Sequence, residues 1–342
     1  MKVFASGITA ALITLACLGG GADAADFFSG KTITITTGGS PGGSYDTHTR
    51  MVATHMGKHI PGNPGFVVQN NQAGHGIAAA NHVFNAAKKD GTELGQFNRD
   101  ALILALLGTD LTKFKLQEFQ WLGSPASYND NAHVLLIRGA LPQKSVADIQ
   151  KANAQLSIGN KGDNHIPVAK ETFLKSIKIV KGYTGDVINM ALERGEIDGL
   201  STGWTNVIRE TPQWIKDNLA RPIVQFGHEK RITALPDVPT ARELAQTPDD
   251  LALVKFTELS LILGFPFTAP PGVPAERLAI LRKAFNDTMK DPGYAAAIKK
   301  SGLEYTPQTS EQLGATILEA TRASPAVLDR YKRITGEAGG RS

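Results

Sequence analysis

Cysteine is almost absent from this chain: its 342 residues include one, Cys17, which lies in an apolar N-terminal segment. The rest of the chain therefore has no thiol for a disulfide, a zinc–thiolate site or a nucleophile. After that segment no apolar run is long enough to span a bilayer, and no block of Lys and Arg suggests nucleic acid. The formal net charge of +4 is a mild bias that favours anionic ligands.

The N-terminal segment has the pattern of a secretory signal. Lys2 supplies the positive start, Val3–Leu18 is apolar, and an A-x-A site predicts cleavage near Ala24 or Ala25. The apolar run is shorter than the roughly 20 residues of a spanning helix. A lipid anchor at Cys17 is the alternative. After cleavage about 317 residues remain, which is long for one domain and predicts two lobes.

Segments typical of strands alternate with segments typical of helices along the remaining chain. This alternation predicts an α/β fold in which mainly parallel sheets are flanked by helices. Strands are expected at Thr32–Thr36, Phe66–Gln69, Glu93–Phe97, Val134–Arg138, Leu156–Gly159, Lys178–Val180, Ile197–Ser201 and Leu259–Thr268. Helices are expected at Tyr45–Lys58, Ile77–Ala87, Val146–Ala152, Pro167–Leu174, Val187–Arg194 and Ala275–Met289.

A glycine-rich loop, Gly38–Asp46 (loop 1), follows an expected strand and opens an expected helix. Its glycines let the backbone turn sharply and approach a ligand closely. The N–H groups of residues 43–46 are expected to be free and to point at an anion, because the first turn of a helix has no internal acceptors for them. A tight turn without a ligand is the alternative.

Loop 1 also contains the pattern G-x-S-x-G of a hydrolase nucleophile, with Ser40 as the serine. Such a serine needs the N–H of the following residue for its oxyanion hole. Here that residue is Pro41, which has no N–H. The pattern therefore does not predict a nucleophile.

A second loop, Ala73–Ala79 (loop 2), matches the dinucleotide-binding pattern G-x-G-x-x-A. In that fingerprint the first glycine closes the strand directly, whereas residues 70–73 separate Gly74 from the expected strand here. Loop 2 is therefore expected to be a second helix start that faces an anion, and no nicotinamide or other cofactor is expected.

Residues 159–165 (loop 3) and 181–186 (loop 4) follow expected strands in the second half of the chain. Four polar or glycine-rich loops at strand ends, two per lobe, predict a cleft between the lobes. Arg99 is a candidate partner of a ligand carboxylate, with an ordinary surface role as the alternative. His48, His55 and His59 share an expected helix, but no carboxylate or cysteine completes a metal site, so no metal is expected.

Five segments, in order along the chain, resemble motifs of one family: the receptors of tripartite tricarboxylate transporters, also called Bug-type binding proteins. They are Pro41–Asp46 (P-G-G-x-x-D), Gln69–Gly76 (E-N-x-P-G-A-G-G), Lys89–Thr92 (P-D-G-Y-T), Leu235–Thr240 (L-P-D-V-P-T) and Thr268–Pro274 (F-A-P-A-G-T-P). The resemblance implies a type II periplasmic-binding fold with two hinge-linked lobes. It also implies a small organic anion in the cleft and delivery to a permease of one large and one small subunit.

Two departures from the family pattern fall in the expected binding loops. His75 stands where the family has a small residue, and Val180–Gly185 keeps only Tyr183 and Gly185 of the motif H-V-P-Y-K-G. Since both positions would line the cleft, the resemblance does not identify the ligand.

The sequence thus predicts a periplasmic solute-binding receptor, monomeric and not an enzyme. Residues 26–128 and 256–342 would form the first lobe and residues 129–255 the second. Backbone N–H groups of loops 1 and 2 would hold a carboxylate, and side chains of the second lobe would contact the rest of the ligand. The expected contacts are Ser40, Gly42, Gly43, Ser44, Tyr45, Asp46, Gly74, His75, Gly76, Arg99, Asn160, Lys161, Asp163, Asn164, His165, Tyr183, Thr184 and Asp186. Rival hypotheses are an exported α/β hydrolase-like enzyme and a ligand sensor for a membrane signalling partner.

Overall fold

The computed structural model of the chain describes residues 26–127, 132–183, 187–303 and 305–336. The signal expected at residues 1–25 lies outside these ranges. The strands are β1 (Thr32–Thr37), β2 (Gly65–Asn70), β3 (Glu93–Gln96), β4 (Gln120–Ser124), β5 (His133–Arg138), β6 (Ser157–Asn160), β7 (Lys178–Lys181), β8 (Gly199–Gly203), β9 (Ala220–Phe226), β10 (Phe267–Ala269) and β11 (Gln308–Thr309).

The α-helices alternate with these strands, as the sequence predicts. They are α1 (Ser44–Met56), α2 (Ile77–Asn85), α3 (Arg99–Leu106), α4 (Val146–Ala152), α5 (His165–Thr172), α6 (Val187–Arg194), α7 (Trp204–Glu210), α8 (Pro212–Lys216), α9 (Ala241–Leu244), α10 (Pro248–Ile262), α11 (Ala275–Lys290), α12 (Pro292–Ser301), α13 (Ser310–Ala320) and α14 (Pro325–Thr335). Within the described residues, no helix is both long enough and apolar enough to cross a bilayer.

Strands β1–β4, β10 and β11 form the first sheet, in the order β11-β4-β10-β3-β1-β2. β1 pairs in parallel with both β2 and β3, while β10 lies antiparallel between β3 and β4. Phe267, at the start of β10, is therefore in register with Gln96 and Gly123, near the ends of β3 and β4. The carboxyl ends of β1–β4 consequently share one edge of the sheet.

Strands β5–β9 form the second sheet, in the order β7-β6-β8-β5-β9. β6 is parallel to β7 and β8, and β5 is antiparallel to β8 and β9. His133, which begins β5, pairs with Gly203 at the end of β8 and with Phe226 at the end of β9. The start of β5 therefore lies on the same edge as the carboxyl ends of the other four strands.

Both faces of the second sheet are buried, as β5 shows. Val134 and Leu136 join a cluster that contains Trp214, and the alternate residues Leu135 and Ile137 join the core on the opposite face. Successive side chains of a strand point to opposite faces, so two covered faces require a continuous apolar strand. Trp214 belongs to this core, since its exposure is 1%.

One expected strand is wrong: the apolar segment Leu259–Thr268 does not form a single strand. Residues up to Ile262 complete α10, and only Phe267–Ala269 forms strand β10. Thr247 caps the start of α10 by accepting a hydrogen bond from the N–H of Asp250. The helix is buried on several sides, so its sequence is apolar without the 3.6-residue period that distinguishes a helix from a strand.

The chain passes between the two sheets at the edges just described. Residues 125–132 join Ser124 at the end of β4 to His133 at the start of β5, and an eight-residue connection spans at most about 30 Å. Residues 227–266 lead back from the end of β9 to the start of β10. This second passage touches the first, because the N–H of Phe265 donates to the Ser124 hydroxyl at 2.9 Å. Both passages thus tie the carboxyl edge of one sheet to that of the other.

The lobe boundaries at 128/129 and 255/256 stay predictions. Helix α10 runs through the second of them, and α14 packs against both α10 and α5. The Arg330 side chain of α14 donates to Asp250 at 2.8 Å and contacts Glu171 of α5 at 3.4 Å. The C-terminal helix, expected in the first lobe, therefore contacts Glu171 and Asp250 of the expected second lobe.

Candidate functional site

Loop 1 is held in place by the carboxylate of Asp46. One oxygen accepts hydrogen bonds from the N–H of Gly42 at 2.9 Å and from Arg50, and the other accepts from the Asn70 amide at 2.8 Å. Burial alone raises the pKa of Asp46, but the hydrogen bonds from Arg50, Gly42 and Asn70 outweigh it and lower the pKa. The oxygens of Asp46 therefore fix the shape of the loop, and a ligand contact of its backbone N–H stays a prediction.

The start of helix α1 presents free backbone donors. The first intrahelical bond runs from the N–H of Thr47 to the carbonyl of Gly43, so the N–H groups of residues 44–46 have no acceptor within the helix. The N–H of Gly43, also expected to be free, instead donates to the Ser40 carbonyl at 3.0 Å. Three amides, not four, are therefore available to an anion at this position.

Loops 1 and 2 touch each other and the end of β3. A Cβ atom on Gly38 would lie 2.9 Å from the Cα of Gly76 and 3.3 Å from the Asn98 side-chain oxygen, so only glycine permits this approach. In loop 2, Gly74, His75 and Gly76 all have positive φ, at 59°, 56° and 87°. His75 is the one non-glycine residue of the three, and its side chain is exposed.

Behind loop 1, aromatic rings line the interior of the first sheet. The rings of Tyr45 and His48 pack against Phe265 at centroid distances of 4.8 and 4.1 Å. Burial lowers the pKa of His48 to about 4, so this histidine is neutral at pH 7. Burial likewise raises the pKa of Tyr45, whose hydroxyl accepts a hydrogen bond from the N–H of Arg99. Arg99 thus begins α3 directly beside loop 1.

Two further histidines, one in α1 and one just after it, lie away from this aromatic cluster. The ring of His55 packs on Tyr294, and His59 contacts the carboxylate of Asp291 at 3.0 Å. His48 is fully buried against Phe265, so the three rings do not converge on one point.

In the second sheet, the Asn160 side chain organises loop 3. Its oxygen accepts from the N–H groups of Gly162 and Asp163 at 2.8 and 2.7 Å, and its amide donates to the Asp163 carbonyl. Asn164 donates to the hydroxyl of Tyr331 in α14 at 2.9 Å, which ties the loop to the C-terminal helix. Lys161 is exposed at the tip of the loop.

Asp163 lies between two imidazole rings. One carboxylate oxygen is 2.8 Å from Nε2 of His133, and the other contacts Nδ1 of His165 and accepts from the backbone N–H of His165. Burial opposes ionisation of Asp163, but the two histidines outweigh it and hold its pKa well below the usual value. Burial lowers the pKa of His133, against the attraction of Asp163. An ionised carboxylate therefore lies at the carboxyl edge of the second sheet.

A small polar recess of about 190 Å³ adjoins loop 3. Lys161 lines it together with the amides of Asn189 and Asn206 and the hydroxyl groups of Thr202 and Thr211. Tyr183 is half-buried at the end of β7, whereas Thr184 and Asp186 of loop 4 lie outside the described residues. The recess beside loop 3 thus offers both hydrogen-bond donors and hydrogen-bond acceptors.

The sequence patterns missed two residues of this region. Asn98 follows β3 at the same edge as loops 1 and 2, and its side-chain oxygen is buried without a partner among the described residues. A search for polar residues at strand ends would have found it. His133 begins a strand, and no local motif marks it; its role follows only from the antiparallel direction of β5.

Comparison with known proteins identifies the family. A family model described as tripartite tricarboxylate transporter family receptor matches residues 49–332. A search of curated proteins finds no match. Among solved structures, a TctC solute-binding protein from Polaromonas without ligand superposes with a TM-score of 0.69 at 17% identity, covering 90% of this chain and 99% of that one.

Two Rhodopseudomonas palustris structures match over a similar length. MatC with bound malate has a TM-score of 0.53 at 18% identity, covering 90% of this chain and 100% of that one. A second protein, with adipate, has a TM-score of 0.53 at 18% identity, covering 90% and 98%. These matches confirm the expected α/β, two-sheet periplasmic-binding fold. Since the family model spans most of the sequence, this chain belongs to the tripartite tricarboxylate transporter family of receptors.

Proposed function

We propose that this chain is a periplasmic receptor that holds a small organic carboxylate between its two sheets and delivers it to a membrane permease. The observation that carries the proposal is topological: both passages of the chain join the carboxyl edges of the sheets, where loops 1 to 4 begin. Ligands of open α/β sheets bind at such edges. In this proposal the chain is exported through its N-terminal signal and catalyses no reaction.

The free amides at the start of α1 suit one carboxylate of the ligand. Backbone N–H groups at a helix N-terminus combine hydrogen-bond donors with the positive end of the helix dipole. Contacts with Ser40, Gly74 and His75 of the same edge, and with Arg99, stay predictions that this geometry supports. Because the Asp46 carboxylate is satisfied internally, Asp46 acts as a positioning residue.

The second sheet supplies the rest of the pocket. Lys161, Asn164 and Tyr183 follow strands β6 and β7 at its carboxyl edge, which supports the proposal that they contact a distal polar group. Malate and adipate in the related structures carry two carboxylates at different spacings. We therefore propose a dicarboxylate or a similarly polar organic acid as the ligand class.

In this proposal the two sheets close around the ligand when it binds. A two-lobed receptor that closes on its ligand differs most from the bound form in lobe orientation. Ligand binding is accordingly expected to shift the population toward a closed form.

A thermal-shift screen of the purified chain tests this proposal. Dicarboxylates, aromatic acids and amino acids are compared with their amide or methyl-ester counterparts at equal concentration. At 100 times the dissociation constant, a ligand stabilises the native state by about 2.7 kcal/mol, which raises the melting temperature measurably. A rise with the acid and none with its amide supports the proposal. Equal stabilisation by acid and amide, or none by any carboxylate, contradicts it.

A further inference from the structure

Three side chains of metal-ligating type converge in the wall of the second sheet. One ligand atom each from His133, Asp163 and His165 lies within 4.8 Å of the other two. The side chains are 14%, 11% and 5% exposed, so solvent reaches them only slightly. No sequence motif marks this group, because His133 and Asp163 are thirty residues apart.

The group is built on a rigid frame. Asn160 fixes the backbone of loop 3 through three hydrogen bonds, and Asp163 accepts the N–H of His165 at 2.8 Å. His133 is held in the ladder of β5, and the His165 ring packs against Phe226 at 5.2 Å. The nitrogen of His165 that faces Asp163 is Nδ1, while Nε2, across the ring, is buried without a partner among the described residues.

Two imidazoles and one carboxylate suit a divalent ion of the zinc class, and their ligand atoms lie within 4.8 Å of one another. Zinc binds imidazole nitrogen and carboxylate oxygen at about 2.0–2.2 Å, so its ligand atoms lie roughly 3.3 Å apart. The His133–Asp163 contact of 2.8 Å would open by a few tenths of an ångström as the metal replaces the shared protons. Two histidines and one carboxylate leave a fourth tetrahedral position for an outside ligand.

A cation here would also solve an electrostatic problem. The Asp163 carboxylate lies at the edge that the proposed carboxylate ligand approaches, and two carboxylates at short range repel each other. A divalent ion turns this repulsion into attraction, because the ion coordinates both carboxylates.

We propose that His133, Asp163 and His165 form a binding site for a divalent transition-metal ion, and that a carboxylate of the ligand completes its coordination. The second half of this statement rests on the proposed receptor function. The site thus makes ligand capture dependent on the metal.

Metal binding is tested first, without any organic ligand. The full chain is freed of metal with a chelator and titrated with ZnCl₂ by calorimetry, alongside His165→Ala and Asp163→Asn. We expect one ion per chain in the wild type, and affinity lower by roughly tenfold or more in both variants. His82→Ala is the matched control, since this histidine is 43% exposed beside Glu93 and should leave the affinity unchanged.

A wild-type measurement covers the case in which a variant does not fold. The visible spectrum of the Co²⁺-loaded chain should show the intense bands of a four-coordinate nitrogen–oxygen site, and these bands should change when malate or adipate is added. Zinc affinity no higher in the wild type than in Asp163→Asn, or a six-coordinate cobalt spectrum indifferent to His165→Ala, overturns the metal site.

The second arm measures malate and adipate binding with and without Zn²⁺. Tighter carboxylate binding in the presence of zinc, lost in His165→Ala, supports ligand coordination; equal binding with and without zinc overturns that half. Failure of the metal site alone leaves carboxylate binding intact. Zinc binding without any carboxylate binding contradicts the receptor function instead.

Discussion

Single residues in the binding loops are constrained by contacts that only the folded chain reveals. The sequence correctly indicated that loop 1 needs glycine, because four of them in one βα turn exceed what a turn requires. It did not indicate that the Asp46 carboxylate accepts hydrogen bonds from Gly42, Arg50 and Asn70. Asn70 is the last residue of β2, so its contact with Asp46 depends on the parallel register of β1 and β2. Long-range contacts of this kind leave no local pattern.

Substituting Gly38 tests the contact between loops 1 and 2. In Gly38→Ala the new Cβ would meet the backbone of Gly76 at 2.9 Å, so the loops must separate. We expect a loss of about 1–3 kcal/mol in unfolding free energy, together with weaker carboxylate binding. Chemical denaturation and calorimetric titration measure the two effects.

Gly314→Ala is the control for that experiment. Gly314 lies within α13, and a Cβ there would have no neighbour within 4 Å. Alanine should therefore stabilise the helix by about 0.5–1 kcal/mol and leave binding unchanged. Unaltered stability and binding in Gly38→Ala would show that the two loops do not depend on close approach.

Among the elements, four helices were predicted best. The expected limits of α4 and α6 agree with the structure at both ends, and those of α1 and α2 differ by one or two residues. Helix α10 was missed because its buried apolar sequence has no periodicity to separate helix from strand. Pairing of β5 in the antiparallel direction could not be foreseen either, since strand direction depends on the path of the whole chain.

The start of α12 provides a prediction about pH. The Asp291 carboxylate accepts hydrogen bonds from Lys58 and His59 and from the N–H groups of Gly293 and Tyr294. The bond from Lys58 is the main reason that the pKa of Asp291 lies well below its ordinary value of 3.8. A folded-state pKa below the unfolded one stabilises the protein above about pH 4, and the stabilisation is lost as the pH falls through the folded pKa.

Asp291→Asn should therefore lower the melting temperature at pH 7, and the difference from the wild type should narrow as the pH falls below 4. Asparagine still caps a helix, so the variant isolates the charge. Calorimetric melts at pH 7, 5 and 3 measure this difference in melting temperature. Asp110→Asn is the control, because Asp110 is exposed. A gap that is the same at every pH would contradict the assignment to the ionised carboxylate.

For the molecule as a whole, the sequence predicted the fold class and the family but not the arrangement of the C-terminal helix. Motifs such as Leu235–Thr240 support the fold rather than bind ligand: the Gln225 amide donates to the carbonyls of Leu235 and Val238, and Thr240 begins a capping box. The contact of α14 with α5 joins the C-terminal helix to the middle of the chain and has no signature in either segment. Family resemblance therefore predicted the fold more reliably than it predicted the contacts within it.

Closure on the ligand should be visible in solution. The radius of gyration, about 20 Å for a compact chain of this length, should decrease when a stabilising carboxylate is added, because the two edges approach each other. Small-angle scattering with and without ligand measures the change, and the amide counterpart of the ligand serves as control. An unchanged radius at saturating ligand would show that binding does not require lobe movement.

The central claim is that bare backbone amides at the start of α1 hold the ligand's carboxylate, and Ser44 permits a direct test. Ser44 is the first residue of the helix and follows Gly43 in extended conformation, so proline fits there while removing the N–H. Calorimetric titration should compare Ser44→Pro with Ser44→Ala, which keeps the N–H and removes the hydroxyl. A hydrogen bond to a charged group contributes about 1.5–3 kcal/mol, so Ser44→Pro should bind a stabilising dicarboxylate roughly 10 to 100 times more weakly than Ser44→Ala. Equal affinity of the two variants, with both folded, would contradict the account.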